Sequence, residues 1–416
     1  KLLKGLIMIS YLTCVAKLTL TAYQCVSLLT LNDTFQAPNK PMYIAIMFFG
    51  CLIYPTRLYF IMKSGQQLGV RIKESKRAFE DYCLAQSDST QYKYLNSNIF
   101  FVLQQRLGMD CPIAPFFVFN VKGSIVALVT PMEEDGTICW KSLSDLIDWH
   151  IESGTSAIVA VGTTGESATL DVSEHIQVVE QSVKYSANRI PIIAGTGANS
   201  TKEALYLTKA AMEVGASAAL IVTPYYNKPT QKGLVEHYTA ICTEVDIPQI
   251  LNNVPTRTAC DLLPETVAQL SSLENIVGLK EASTDPSRLI KLKEELGEKL
   301  DKDSFLLYSG DDLSTCNFLL GGGHGTISVT ANIIPETISK ICELSLTGFS
   351  KDALKADKEI TELHKALFIE TSPIPVKWVL NRLGRIPNGI RLPLTNFDSR
   401  HHKTMELILN KLGLLN

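Results

Sequence analysis

From residue 120 onward the chain repeats one pattern. An apolar stretch of five to seven residues is followed by a turn rich in Gly, Thr or Asn, then by a segment with apolar positions three and four apart. The apolar stretches are "SIVALVT" (124–130), "SAIVAVG" (156–162), "PIIAG" (191–195), "SAALIVT" (217–223), "PQILNN" (248–253), "NIVGLK" (275–280), "SFLLYSG" (304–310) and "GTISVT" (325–330). Segments such as "WKSLSDLIDWHIES" (140–153) and "TKEALYLTKAAMEVG" (201–215) carry helical spacing between them. Short, nearly continuous apolar strands alternating with helices predict a parallel sheet. Eight such units predict a closed TIM (β/α)8 barrel over residues 119–345. Three further helical stretches, near 335–347, 351–368 and 374–415, predict one barrel helix plus a C-terminal helical extension over 346–416, with Pro387 breaking the last stretch.

Residues 1–118 do not share this rhythm. Segments 5–31 and 42–62 are apolar, but Lys17 interrupts the first and Pro55, Thr56 and Arg57 the second. The clean runs are shorter than the roughly 18 to 20 residues that a membrane span needs. The region lacks acids between Asp33 and Glu74, as targeting peptides do, but without their Arg and Ser richness. It opens on Lys1 rather than Met, as expected of a fragment, a processed product or a misplaced start. It reads as an extension with no folded role, or as a targeting or membrane-associating leader. No sustained periodicity supports a small domain.

Charge sharpens this division. Residues 1–118 hold 12 Lys and Arg against 6 Asp and Glu, a net +6; the rest holds 27 against 36, a net −9. The total of −3 points to no nucleic-acid partner. The ten cysteines include no C-x-x-C and no metal-ligand spacing, and the seven histidines include no H-x-x-x-H. Reduced thiols in a cytoplasm-like compartment, and no metal, are expected.

Polar residues collect at the C-terminal ends of the predicted strands, the face where barrel enzymes build active sites. They are Thr130 with Pro131, "GTTGES" (162–167), "GTGANS" (195–200), "TPYYNKP" (223–229), "NNVPTRT" (252–258), "KEAST" (280–284), "SGDD" (309–312) and "SVTAN" (328–332). Turn chemistry accounts for Gly197, Asn199 and Asp311. It does not account for Lys280, Arg257 or the paired tyrosines. A buried lysine is rare without a partner or a task. Glu281 is adjacent, but strand neighbours point to opposite faces. Two readings of Lys280 stay open on these grounds: a structural ion pair, or an amine kept partly neutral by desolvation and able to form a Schiff base with a carbonyl.

"GTTGES", "TPYYNKP", "VPTRT" and "GLKEAS", in this order at these strand ends, resemble the dihydrodipicolinate synthases, within the pyruvate-dependent class I aldolase family that includes N-acetylneuraminate lyase. The resemblance covers residues 120–416. "SGTSAIVAVGTTGESATL" (153–170), "PIIAGTGAN" (191–199) and "SPIPVKW" (372–378) are similar to the bacterial type. It implies that Lys280 forms an imine with pyruvate, whose enamine attacks the aldehyde of aspartate semialdehyde. No cofactor is implied. By matching position, Thr164 holds the pyruvate carboxylate, Thr163 is a hydroxyl of a proton relay, and Arg257 receives the semialdehyde carboxylate. Gly310 and Ile327 line the pyruvate pocket. Tyr226 is a relay tyrosine lent across a subunit interface, implying a homodimer or homotetramer.

One position departs from the pattern. The family places its central proton-shuttling tyrosine where this chain has Asn252, and an amide does not exchange protons as an acid or base near neutral pH. The expectation is imine formation with slow full turnover. Ser167, Ala168, His175, Asn199, Glu203 and Tyr225 match a site at which lysine inhibits bacterial members, although a family histidine is Val172 here. The alternatives are a sibling lyase acting on a sugar acid, a non-catalytic lysine-binding barrel or pseudoenzyme, and a membrane-tethered protein resting on residues 1–62.

Overall fold

The structure, a computed structural model, describes residues 119–415 apart from Thr284, Pro286, Lys302 and Asp303. The expectations for residues 1–118 fall outside the described residues.

Eight parallel strands close in sequence order into a barrel: β1 (Gly123–Ala127), β2 (Ala157–Ala160), β3 (Ile192–Gly195), β4 (Ala218–Val222), β5 (Gln249–Asn253), β6 (Ile276–Glu281), β7 (Leu306–Ser309) and β8 (Gly325–Ser328). Helices α1 (Trp140–Glu152), α2 (Val172–Ser186), α3 (Thr201–Glu213), α4 (Gln231–Glu244), α5 (Pro264–Leu270), α6 (Ser287–Leu296), α7 (Thr315–Leu320) and α8 (Pro335–Leu346) follow strands of the same number. The (β/α)8 expectation therefore holds unit by unit.

The helices form where spacing and caps agree. In α1 the buried positions are Leu143, Leu146, Ile147 and His150, a single stripe. Helix α2 begins in a capping box, with Asp171 accepting from the Glu174 N–H and Glu174 accepting from the Asp171 N–H. Pro335 opens α8 where its missing N–H has no helical partner to lose.

Side chains alternate between two apolar layers. Ile125, Val159, Ile193, Leu220, Ile250, Leu306, Tyr308 and Ile327 fill the barrel interior, with Phe119 and Val121 packed against them from the start of β1. The opposite faces of the strands pack on the helices, through residues such as Val126, Ile158, Leu251 and Leu279. Each fully buried aliphatic side chain contributes about 1.5–3 kcal/mol relative to exposure.

The C-terminal extension contains α9 (Ser350–Ala366), α10 (Ile374–Arg382) and α11 (His402–Lys411). The expected single stretch over 374–415 is thus two helices, and the break is wider than Pro387 alone. The intervening chain carries its own contacts. Arg391 donates from Nε to the Gly136 carbonyl and grips Glu174 with both terminal nitrogens, at 2.6 and 2.7 Å. No helix among the described residues is long and apolar enough to cross a membrane.

Candidate active site

The β5–β6 pair places the central lysine. Their register slips by one residue between Gln249 and Ile250: Gln249 faces Ile276, and Ile250 faces Gly278. Val277 is the extra residue. Ile276 belongs to the outer layer, whereas Val277 packs on the interior cluster. Strict alternation from Ile276 would send Lys280 outward. The bulge resets the phase, so that Lys280 lies inward beside Asn252 on β5 and Tyr308 on β7.

Lys280 keeps some exposure toward solvent, but its ammonium lies deep among protein atoms. Burial lowers its pKa to about 8; Asp312 opposes that shift and Arg257 adds to it. A substantial neutral-amine fraction near pH 8 suits a nucleophile. Gly310 fits against the lysine stem. A Cβ at this position would lie 2.9 Å from Lys280 Cε and 2.8 Å from Ala282 Cβ. The Gly310 N–H donates to the Glu281 carbonyl at 2.7 Å.

Glu281 occupies the other face, as strand alternation predicts. It accepts from Asn253 Nδ2 at 3.1 and 3.2 Å and from the Ser283 N–H at 2.7 Å, with Arg288 Nε 4.0 Å away. Burial raises its pKa to about 7, against those partners. The ion-pair reading of Lys280 with its neighbour is therefore not realised.

The charge that Lys280 does sense is Asp312, just past β7. Its Oδ2 accepts from the Val329 N–H, the Thr330 N–H and the Thr330 hydroxyl at 3.1, 2.9 and 3.0 Å. Thr330 Oγ1 also lies 2.8 Å from His364 Nδ1. The single hydroxyl proton goes to the carboxylate, so His364 donates from Nδ1. Asp311, by contrast, caps the turn at Ser314, as turn chemistry predicts.

Asn252 is 6% exposed, and its Oδ1 is buried without a hydrogen-bond partner. Ile327 is buried in the interior layer beside β1. Arg257 sits in a single helical turn, Pro255–Thr258, and Nη2 approaches the Ser372 carbonyl at 3.4 Å.

The loop after β2 carries the two threonines. Thr163 is exposed, whereas Thr164 is 5% exposed. Gly165 donates to the Gly162 carbonyl and accepts from Thr130 Oγ1. Val161 and Glu166 bend the chain at φ of +56° and +58°, a region costly for a β-branched residue. Gly195 permits this path, since a Cβ there would lie 2.3 Å from the Val161 carbonyl oxygen.

Tyr226 does not join this group within one chain: it is 90% exposed, at φ +77°. Of the six positions matched to lysine binding, Asn199, Glu203 and Tyr225 lie together. Burial and then the Glu203 charge raise the Tyr225 pKa, while a hydrogen bond with the Asn199 backbone lowers it. His175 is buried, with Nε2 2.7 Å from the Gly195 carbonyl. Ser167 is half-buried, Ala168 and Val172 exposed. Sequence reasoning passed over Asp312, Glu166 and Lys377; the acidic pair in "SGDD" was the visible signal for the first.

Comparison with known proteins places the chain in one family. The Dihydrodipicolinate synthetase family matches residues 120–412. The 4-hydroxy-tetrahydrodipicolinate synthase of Shewanella pealeana is 56% identical over 283 residues, 68% of this chain and 95% of that protein. The crystal structure of the chloride-inhibited dihydrodipicolinate synthase from Acinetobacter baumannii, complexed with pyruvate, is 49% identical, with a TM-score of 0.69 over 71% of this chain and all of that one. That of the Cyanidioschyzon merolae enzyme with lysine bound is 36% identical, with a TM-score of 0.68 over 71% of this chain and 99% of that one.

Proposed function

The chain belongs to the dihydrodipicolinate synthetase family, and on that premise we propose that it is a 4-hydroxy-tetrahydrodipicolinate synthase whose nucleophile is Lys280. It is a lyase working in the carbon–carbon bond-forming direction, in the diaminopimelate route to lysine. The observation that carries the assignment is the desolvated Lys280 amine, turned inward by the β6 bulge and backed by Gly310.

The neutral Lys280 amine attacks the keto carbon of pyruvate, and water leaves as the imine forms. The cationic imine draws electrons from the methyl group, which loses a proton to give the enamine. The enamine carbon bonds to the aldehyde carbon of aspartate semialdehyde, whose oxygen takes up a proton. The substrate's own amine then attacks the imine carbon and displaces Lys280, closing the ring. The imine is itself the electron sink, so the steps need no cofactor.

The residues take these roles. Thr164 and the neighbouring N–H groups hold the pyruvate carboxylate. Arg257 receives the semialdehyde carboxylate, for which a planar fork is suited. Gly310 and Ile327 shape the pyruvate pocket. Thr163 passes protons, and Tyr226 does so in the site of a neighbouring copy, so the working unit is a homodimer or homotetramer. The 90% exposure of Tyr226 supports that placement. Lysine inhibits at Asn199, Glu203 and Tyr225, with Ser167, Ala168 and His175 around them. The described cysteines are unpaired, four of the five buried, which supports a reducing, cytoplasmic setting.

The test is turnover of pyruvate with aspartate semialdehyde by the purified protein. Formation of the cyclic product is expected. Failure on this pair, with cleavage of a sugar acid to release pyruvate, would overturn the assignment in favour of a sibling lyase.

A further inference from the structure

We infer that Lys377, in the C-terminal extension, is a positioning residue for the pyruvate-carboxylate site, acting through a buried ion pair with Glu166. The inference rests on the function proposed above. Glu166 follows Thr163, Thr164 and Gly165 in the loop after β2, and it is 2% exposed. A carboxylate so buried is costly unless paired and fully hydrogen-bonded. Both its oxygens are engaged by the extension. Oε1 accepts from Lys377 Nζ, itself 4% exposed, and Oε2 accepts from the Arg391 N–H at 3.2 Å.

The pair joins a loop to a helix 211 positions away. What it holds is a bent backbone: Val161 and Glu166 both have positive φ, so the loop needs external restraint to keep this path. A second tie lies three residues further on. Arg391 donates to the Thr169 carbonyl at 3.0 Å and clamps Glu174 in the first turn of α2. Thr164 directly precedes Gly165, whose carbonyl accepts from Thr130 Oγ1, and lies two residues before the clamped Glu166. The extension thereby sets the position of the group that binds the substrate carboxylate. Arg257 stands on another loop, after β5, and meets the extension at the Ser372 carbonyl, five residues before Lys377 and outside the ion pair, so the second substrate's carboxylate contact does not run through this pair.

The decisive variant is the double substitution Glu166→Gln/Lys377→Met, which removes both charges together and leaves none uncompensated. The readouts are borohydride trapping of pyruvate on Lys280 as a function of pyruvate concentration, and the KM of each substrate. The inference expects the pyruvate concentration for half-maximal trapping to rise about 10- to 100-fold, with the aspartate semialdehyde KM unchanged. A folded double variant with unchanged half-saturation would overturn it, and so would equal rises in both KM values. Should the double variant not fold, Arg391→Met loosens the same loop from its half-buried side, and the same split between substrates decides. Absence of trapping in the unaltered protein would overturn the proposed function itself, and this inference with it.

Discussion

Asn252 lies directly opposite Lys280 across the β5–β6 pair, with its amide oxygen buried and unpartnered. An amide cannot serve as an acid or base beside the amine. The consequence falls on the proton-transfer steps rather than on imine formation. Asn252→Tyr is expected to raise kcat about 10²–10⁴-fold, while borohydride trapping with pyruvate alone stays close to that of the unaltered protein. Equal kcat values for the two proteins would show that another group carries the proton.

The pH dependence of imine formation should follow the Lys280 amine. Burial holds its pKa near 8, below the ordinary lysine value. Below that pH the ammonium predominates and lacks the lone pair for attack, so the trapping rate rises with pH and levels off above about 8. Asp312 favours the charged form and Arg257 the neutral one. Asp312→Asn should therefore move the midpoint to lower pH, and Arg257→Met to higher pH. Stopped-time trapping across pH 6–10 reads both shifts; a common direction would contradict the electrostatic account.

Gly310→Ala tests the packing of the lysine stem. The added methyl would press on Lys280 Cε and Ala282 Cβ. Displacing the reacting nitrogen by an ångström or less is expected to slow imine formation about 10²-fold. The melting temperature checks that the barrel persists.

Much of this architecture is legible in the chain, but not all, and particular residues show why. The eight strands stand out because each is an apolar run closed by turn residues, and Lys280 because a charge ends one of them. Its inward direction is not legible, because the bulge at Val277 arises from pairing with β5 and leaves no local mark. Asp311 and Asp312 look alike in sequence; one caps a turn, and the other meets Thr330 and the field of Lys280. Glu166 reads as one more polar turn residue until Lys377 arrives from 211 positions away. The role matched to Tyr226 rests on resemblance alone, and within one chain its side chain is 90% exposed.

Feedback by lysine can be examined at Glu203. Its charge bears on Tyr225, and both stand near Asn199. L-lysine is expected to inhibit turnover, and Glu203→Gln to raise the half-inhibitory concentration about tenfold, as for loss of one charged hydrogen bond. The Lys280 trapping rate of this variant without lysine should not change. Inhibition that is indifferent to the substitution would place the effector elsewhere.

The central claim is that Lys280 is the nucleophile, and mass analysis after borohydride reduction tests it most directly. The protein is incubated with pyruvate, reduced, digested and mapped. The account predicts a single reduced pyruvate adduct, on the peptide containing Lys280, and none in Lys280→Met. An unchanged mass, or an adduct on another lysine, would contradict it.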